Sequence, residues 1–240
     1  MSAERIYVEE SIYDDFLNMV KIETEKLIQG TDKDSDIGSM TFPKQKEIVK
    51  QHVKDALEKG AVLVSGTPPD KWDDSMFIQP VILANLKQDM EVVCEETFGP
   101  VMPVIPFKTE EEVIKLANES NYGLNASVWT SDLKKAKRVA SRLVSGAVTI
   151  NEVLVSVANH YLPFGGTKNS GIGRYHSEEG LKIFCHEKAI ILDRGKLNKE
   201  IQWYPYKGKY LAFLQLFQSY FRERKKWIRF LQSYLKLLRK

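Results

Sequence analysis

The middle of this chain alternates between two hydrophobic periods, and that alternation limits its fold more than any other feature. Val101–Phe107 is an apolar run of strand length. Thr109, with Glu112 three residues on, makes a capping box that predicts a helix to about Ala117. Asn121-Tyr122-Gly123 turns into a second strand, Leu124–Trp129. Ser131 is expected to cap a helix to about Leu143, and Ser145-Gly146 leads into a third strand, Ala147–Ile150. Strands alternating with helices of this length imply βαβ units: an α/β fold, its sheet mostly parallel and flanked by helices.

The first hundred residues continue the pattern. Ile6–Val8 reads as a short strand, and Ile12, Phe16, Met19, Val20 and Leu27 then recur at helical spacing. Gly30 and the Asp-rich run Thr31–Asp36 form a loop. A second helix is expected from Pro43 to Lys59, with proline at its start and Gly60 just past its end. Ala61–Ser65 reads as a strand before the Gly66–Pro69 break, and Phe77–Leu83 as another, with Pro80 marking an edge or a bulge.

Charge divides the chain. Residues 207–240 hold ten Lys/Arg and one acid, Glu223. Subtracting these from the totals of 35 basic and 32 acidic residues leaves 25 and 31 in residues 1–206, a net of −6. An acidic body therefore precedes a strongly basic tail. The asymmetry marks a boundary near Tyr206; with strands and helices alternating through the first 195 residues, one domain is expected over 1–195, then a linker and helical tail over 196–240.

Several chemistries find no support. Cys94 and Cys185 make neither a CxxC nor a disulfide framework, which suits a reducing, cytoplasmic setting, and each reads as an inert thiol. His52, His160, His176 and His186 lack metal-ligand spacing, so no metal is expected. Gly171-Ile172-Gly173 has His176 where a dinucleotide fingerprint needs its third glycine, and no phosphate-binding P-loop is present. The polar start, Met1 to Arg5, is not expected to be a signal peptide.

In the tail, Leu214, Phe217, Phe221, Ile228, Leu231, Leu235 and Leu238 fall at steps of three, four and seven, with Arg222, Arg224, Lys225, Lys226 and Arg229 crowding the middle. One basic amphipathic helix over 210–240 is expected. It suits an anionic membrane surface, giving peripheral attachment; packing on a sister subunit or on the body is the alternative. No nucleic-acid motif accompanies the charge, so nucleic acid is not an expected partner.

Four segments carry a family resemblance. Ser2-Ala3-Glu4-Arg5-Ile6-Tyr7-Val8 resembles the run that follows the catalytic cysteine of NAD(P)-dependent aldehyde dehydrogenases. Glu95-Glu96-Thr97-Phe98-Gly99-Pro100 resembles their E-x-F-G-P motif, and Ser145–Asn151 their a-G-x-v-x-i-N segment. Pro163–Arg174, PFGGTKNSGIGR, resembles P-F-G-G-x-K-x-S-G-x-G-R. The match runs in order from residue 2 to about 194. The ending Asp193-Arg194 with Trp203-Tyr204-Pro205-Tyr206 is similar to a subgroup with a C-terminal extension.

The resemblance implies roles. Glu96 would accept hydrogen bonds from the nicotinamide ribose of NAD or NADP, and Phe98 would contact the nicotinamide. Phe164 would wall the substrate tunnel, with Tyr161 and Val153 in the loop at its mouth. Val153, Leu154, Val155 and Tyr161 make that loop apolar, which points to a hydrophobic aldehyde. Counting back from Arg5 puts the cysteine just before Met1, so no catalytic residue is assigned here. The dinucleotide-binding domain, oxyanion-hole Asn and general-base Glu would also lie upstream. The expectation is the C-terminal part of an enzyme oxidising aldehyde to acid, inactive alone. It would pair as a homo-oligomer, through Lys188–Leu192 as an oligomerisation strand, or with a complementary N-terminal half. The rival is a non-catalytic remnant that tethers to membranes or pairs subunits.

Overall fold

The structure, a computed structural model, describes residues 3–153, 155–196, 200–222 and 224–239. Leu154, assigned above to the apolar loop, lies outside the described residues, as do Ser2 and Glu223. Two compact units make up the chain, residues 1–186 and 187–240.

The first unit opens with β1 (Ile6–Glu9), α1 (Tyr13–Glu25), α2 (Pro43–Glu58), β2 (Val62–Ser65) and β3 (Val81–Ala84). A short α3 (Glu91–Cys94), β4 (Val101–Phe107) and α4 (Glu110–Glu119) follow. Then come β5 (Tyr122–Gly123), β6 (Asn125–Val128), α5 (Leu133–Ala140), β7 (Ala147–Ile150), α6 (Val155–Ala158), β8 (Thr167–Lys168) and α7 (Ser177–Lys182). The class is α/β with a mixed sheet. A four-stranded sheet runs β1-β4-β3-β2, parallel between β1, β4 and β3 and antiparallel at β2. β6 pairs β7 in parallel, and β5 pairs β8 antiparallel.

Side-chain alternation along β3 explains how the layers hold. Val81 and Leu83 pack with Val49, Val53 and Ala56 of α2, while Ile82 joins Val8 and Val104 against Phe16, Leu17 and Val20 of α1. All four β3 residues are buried, as a strand covered on both faces must be.

The capping box forms. Thr109 Oγ1 accepts from Glu112 N at 3.2 Å, and the Glu112 carboxylate reaches one residue further back, accepting from Lys108 N at 2.8 Å. Two expectations shift. The strand expected from Phe77 starts at Val81, because Pro80 has no N–H to give and β4, its partner, begins at Val101. Asp132 rather than Ser131 caps α5: its carboxylate accepts from Lys134 N and Lys135 N, and an anion at a helix N-terminus outcompetes a hydroxyl.

In the second unit, Lys188–Leu192 pairs with no strand among the described residues, since an extended segment becomes a strand only against a partner's ladder. Its Ile190, Ile191 and Leu192 stand exposed. The helical tail forms as two helices instead of one, α8 (Tyr210–Tyr220) and α9 (Trp227–Leu238). They fold back on each other around Ala212, Leu216 and Leu237. Arg222, Arg224, Lys225 and Lys226 occupy the break, where cations spaced three and four apart would repel in a continuous helix. Small buried Ser219 and Ser233 let the helices approach, each hydroxyl donating to the carbonyl four residues earlier.

Candidate functional site

The four segments singled out in the sequence lie far apart along the chain, and the fold links them through hydrogen bonds. Each link has a local cause.

The acidic loop Glu95–Pro100 leaves α3 and enters β4. Its backbone is held from three sides. The Glu4 carboxylate accepts from the N–H groups of Thr97 at 3.0 Å and Phe98 at 3.3 Å. Gln45 Nε2 donates to the Thr97 carbonyl at 2.6 Å, and buried His52 lies with Nδ1 3.1 Å from Thr97 Oγ1. Phe98 is thereby kept at φ +44°, a left-handed conformation that is costly for an aromatic residue. Successive N–H groups bending around a carboxylate form an anion nest, which offsets that cost. Gly99 is required for a different reason: a Cβ there would sit 2.5 Å from Val49 Cγ2 on α2.

Tyr122 of β5 donates its hydroxyl to Glu95 at 2.8 Å, tying the loop to the β5–β8 ladder. Through β8 that ladder includes the glycine-rich segment. Gly123 N donates to Ser170 Oγ at 3.0 Å, Thr167 Oγ1 donates to the Gly123 carbonyl, and Lys168 Nζ donates to the Asn118 and Ser120 carbonyls. Arg174 closes the segment on itself, donating to the Gly166 carbonyl at 2.6 Å. Gly146 completes the assembly by close backbone approach, since its missing Cβ would lie 1.6 Å from the Gly165 carbonyl oxygen. Asn151 stitches the ends of β6 and β7 with a reciprocal pair of bonds to Thr130.

Within this frame Glu96 and Phe98 share one loop. Glu96 is half-buried, and its carboxylate has no hydrogen bond or ion pair among the described residues. Burial pushes its pKa up, the Glu4 carboxylate adds to the rise, and Arg5 opposes it. Glu95 is the exposed one and is occupied by Tyr122. The Phe98 ring stands 64 % exposed, an unusual position for an aromatic on an otherwise anchored loop. A partly desolvated carboxylate without a partner and an exposed aromatic ring on the same loop offer acceptors for hydroxyls and a face for a planar ring.

The three pocket-wall candidates stand in different surroundings. Phe164 is buried, edge-on to Tyr175 at 5.4 Å and joined to it by two backbone hydrogen bonds. Tyr161 is 78 % exposed and lies on His160. Val153 is half-buried, its carbonyl accepting from Asn125 Nδ2 at 3.1 Å. Among the described residues no hydrogen bond or ring contact joins the three. Cys94 donates to the Gln88 carbonyl at 2.8 Å, and burial pushes its thiol pKa up, with Glu95 adding to it, the opposite of an activated nucleophile. Among the described residues no three His, Cys, Asp or Glu side chains gather as a metal site.

Glu4, Gln45, His52 and Tyr122 are the residues that sequence reasoning passed over. Glu4 had one usable signal, its place in a recognised segment; the others touch the loop across 27 to 52 positions, which no local pattern records.

The raised pKa of Glu96 gives a stability test. A carboxyl whose folded pKa lies above its unfolded value costs stability once pH exceeds the folded pKa, and that cost fades as pH falls toward the ordinary carboxylate range. Glu96→Gln is therefore expected to raise the melting temperature at neutral pH, with the gain shrinking on acidification. An unchanged or lowered melting temperature at neutral pH would show that Glu96 is solvated.

Known proteins resemble this chain over most of its length. The aldehyde dehydrogenase family model matches residues 1–190. A 4,4'-diapolycopene aldehyde oxidase from a Methylomonas species is 45 % identical over 206 residues, covering 86 % of this chain and 38 % of the relative. A phenylacetaldehyde dehydrogenase from Pseudomonas fluorescens is 34 % identical over 194 residues, covering 80 % and 38 %. Betaine aldehyde dehydrogenase from Staphylococcus aureus, solved in complex with NAD+, superposes with a TM-score of 0.72 at 33 % identity, covering 82 % of this chain and 40 % of that one. The chain thus spans about two fifths of the length of the relatives it matches.

Proposed function

The chain belongs to the aldehyde dehydrogenase family, and on that premise we propose that it forms the C-terminal part of a catalytic domain oxidising an apolar aldehyde to its carboxylic acid. The observation that carries this is the loop Glu95–Pro100, held by Glu4, Gln45, His52 and Tyr122 so that Glu96 remains without a partner.

In this proposal Glu96 would accept hydrogen bonds from the ribose hydroxyls next to nicotinamide, and Phe98 would contact the nicotinamide. NAD(P)+ bound there supplies the two-electron acceptor for the aldehyde carbon. The residues contribute orientation. Desolvation strengthens each hydrogen bond Glu96 accepts, and the Glu4 nest keeps the loop from relaxing when the ligand leaves. The thiolate that attacks the aldehyde belongs to the segment preceding Ser2 in the family pattern.

The apolar substrate class is supported by Val153, Tyr161 and Val155 of α6, all in the segment after β7, and by the name of the Methylomonas relative. Assembly with further copies through the exposed Lys188–Leu192 segment, and attachment to a lipid surface through the basic tail, belong to the same proposal. Among the described residues no helix is long and apolar enough to cross a membrane, so attachment would be peripheral.

The test is complementation. Mixed with the N-terminal segment of the Methylomonas relative, ending at its catalytic cysteine, the chain is expected to give NAD(P)+ reduction that depends on both pieces and favours long-chain aldehydes over acetaldehyde. A folded, associated pair that reduces neither cofactor with any aldehyde would overturn the reading.

A further inference from the structure

We propose that the α8–α9 hairpin is a two-sided plate that lies flat on an anionic lipid bilayer, with aromatic and aliphatic residues of both helices on one side and cations on the other. This deepens the proposed lipid attachment of the tail, and it rests on that reading.

The sidedness follows from helix geometry. Gln215 of α8 lines one open cavity of about 680 Å³ together with Arg229, Gln232 and Lys236 of α9, so these polar residues of the two helices share one face of the hairpin, with Trp227 and Ile228 at the start of α9 opening on the same cavity. Phe217 is two residues from Gln215, which at 3.6 residues per turn turns it by about 200° onto the opposite face. Leu231 is likewise two residues from Arg229. Phe217 is 53 % exposed and Leu231 56 % exposed, so the contact between the helices does not use them. That contact is made by Ala212, Leu216, Ser219, Ser233 and Leu237. The apolar face therefore survives hairpin formation instead of being consumed by it.

Charge identifies the occupant. Arg229 and Lys236 stand on the polar face, and Arg222, Arg224, Lys225 and Lys226 crowd the turn. At that turn Lys225 Nζ lies 4.9 Å from the Tyr220 ring centre and 5.6 Å from that of Trp227, so cations and amphipathic rings meet where headgroups would be. A folded protein partner would have to set acids around an apolar patch to match both. A bilayer with anionic headgroups matches both, because a helix buried only to the boundary of headgroup and acyl chain leaves its polar side among phosphates. The hairpin also presents nearly twice the apolar width of a single helix without needing the length to span.

The full chain is the material for the test, with vesicles of phosphatidylcholine alone or mixed with phosphatidylglycerol. Co-flotation is expected with the anionic vesicles, weakened but not abolished by salt, since apolar burial is not screened. Phe217→Glu with Leu231→Glu should abolish it at low salt. Arg229→Gln with Lys236→Gln touches no packed residue and should weaken binding by about thirtyfold. Retention of helical circular dichroism in both variants assigns the losses to the surface. Equal binding by wild type and the Phe217/Leu231 variant, flotation with neither vesicle, or a change of oligomer size in place of lipid binding would each overturn the proposal. Because binding is read without turnover, a negative result here leaves the aldehyde-oxidation reading standing, and failed complementation leaves this one.

Discussion

Gly146→Ala is expected to destabilise the first unit by about 3–5 kcal/mol, enough to unfold a marginally stable domain. The added Cβ would lie 1.6 Å from the Gly165 carbonyl oxygen and 2.7 Å from its carbon. Neither can yield as a flexible side chain would. Gly165 itself is pressed against Gly173, and Gly166 against Ser170, so displacing one strand of backbone disturbs the whole segment from Phe164 to Arg174. Gly146 also donates to the Gly123 carbonyl at 2.9 Å, which places the clash beside the β5–β8 ladder. Gly38, with no heavy atom within 4 Å of the point where a Cβ would stand, is the control: Gly38→Ala should shift stability by less than about 1 kcal/mol. Chemical denaturation of the two variants side by side measures the difference, and similar midpoints would mean that the glycine-rich segment packs elsewhere.

How far the sequence could be read depended on the range of the interaction. β4 and β7 have the bounds expected from their apolar runs, because hydrophobic period is a local signal and both strands are buried or paired along their length. The α4 cap was equally local. Boundaries that depended on a distant partner moved: β3 begins where β4 offers a ladder, and Lys188–Leu192 has none to join among the described residues. In the tail the spacing of apolar residues was correctly helical, but a stripe cannot say whether one helix continues or two fold back. The decision lay with Ala212, Ser219 and Ser233, small residues that a reading by hydrophobicity passes over.

The site follows the same division. Glu96 and Phe98 were legible through a motif, whereas the reason they are posed as they are was not. Glu4 reaches Thr97 and Phe98 across 93 and 94 positions. His52 was weighed only as a metal ligand, although what it does is hold Thr97 from beneath the loop. Phe164 was legible as a tunnel wall, and its edge-on contact with Tyr175 accounts for its burial without deciding that role.

The second large effect is catalytic, and it bears on the central claim that Glu96 orients the cofactor. In the two-piece enzyme reconstituted with the N-terminal segment of the Methylomonas relative, Glu96→Gln keeps the shape of the side chain and removes its charge. Hydrogen bonds accepted by a carboxylate are about twice as strong as those accepted by a neutral amide. A misplaced nicotinamide loses rate steeply, on the order of a hundredfold for a displacement near 1 Å. The measurement is single-turnover cofactor reduction by wild-type and Glu96→Gln chains at saturating NAD(P)+, with association of the two pieces checked by size. The account expects the variant to assemble normally and to reduce cofactor on the order of a hundredfold more slowly. Equal rates in the two assemblies would contradict it and return Glu96 to the status of a solvated loop acid.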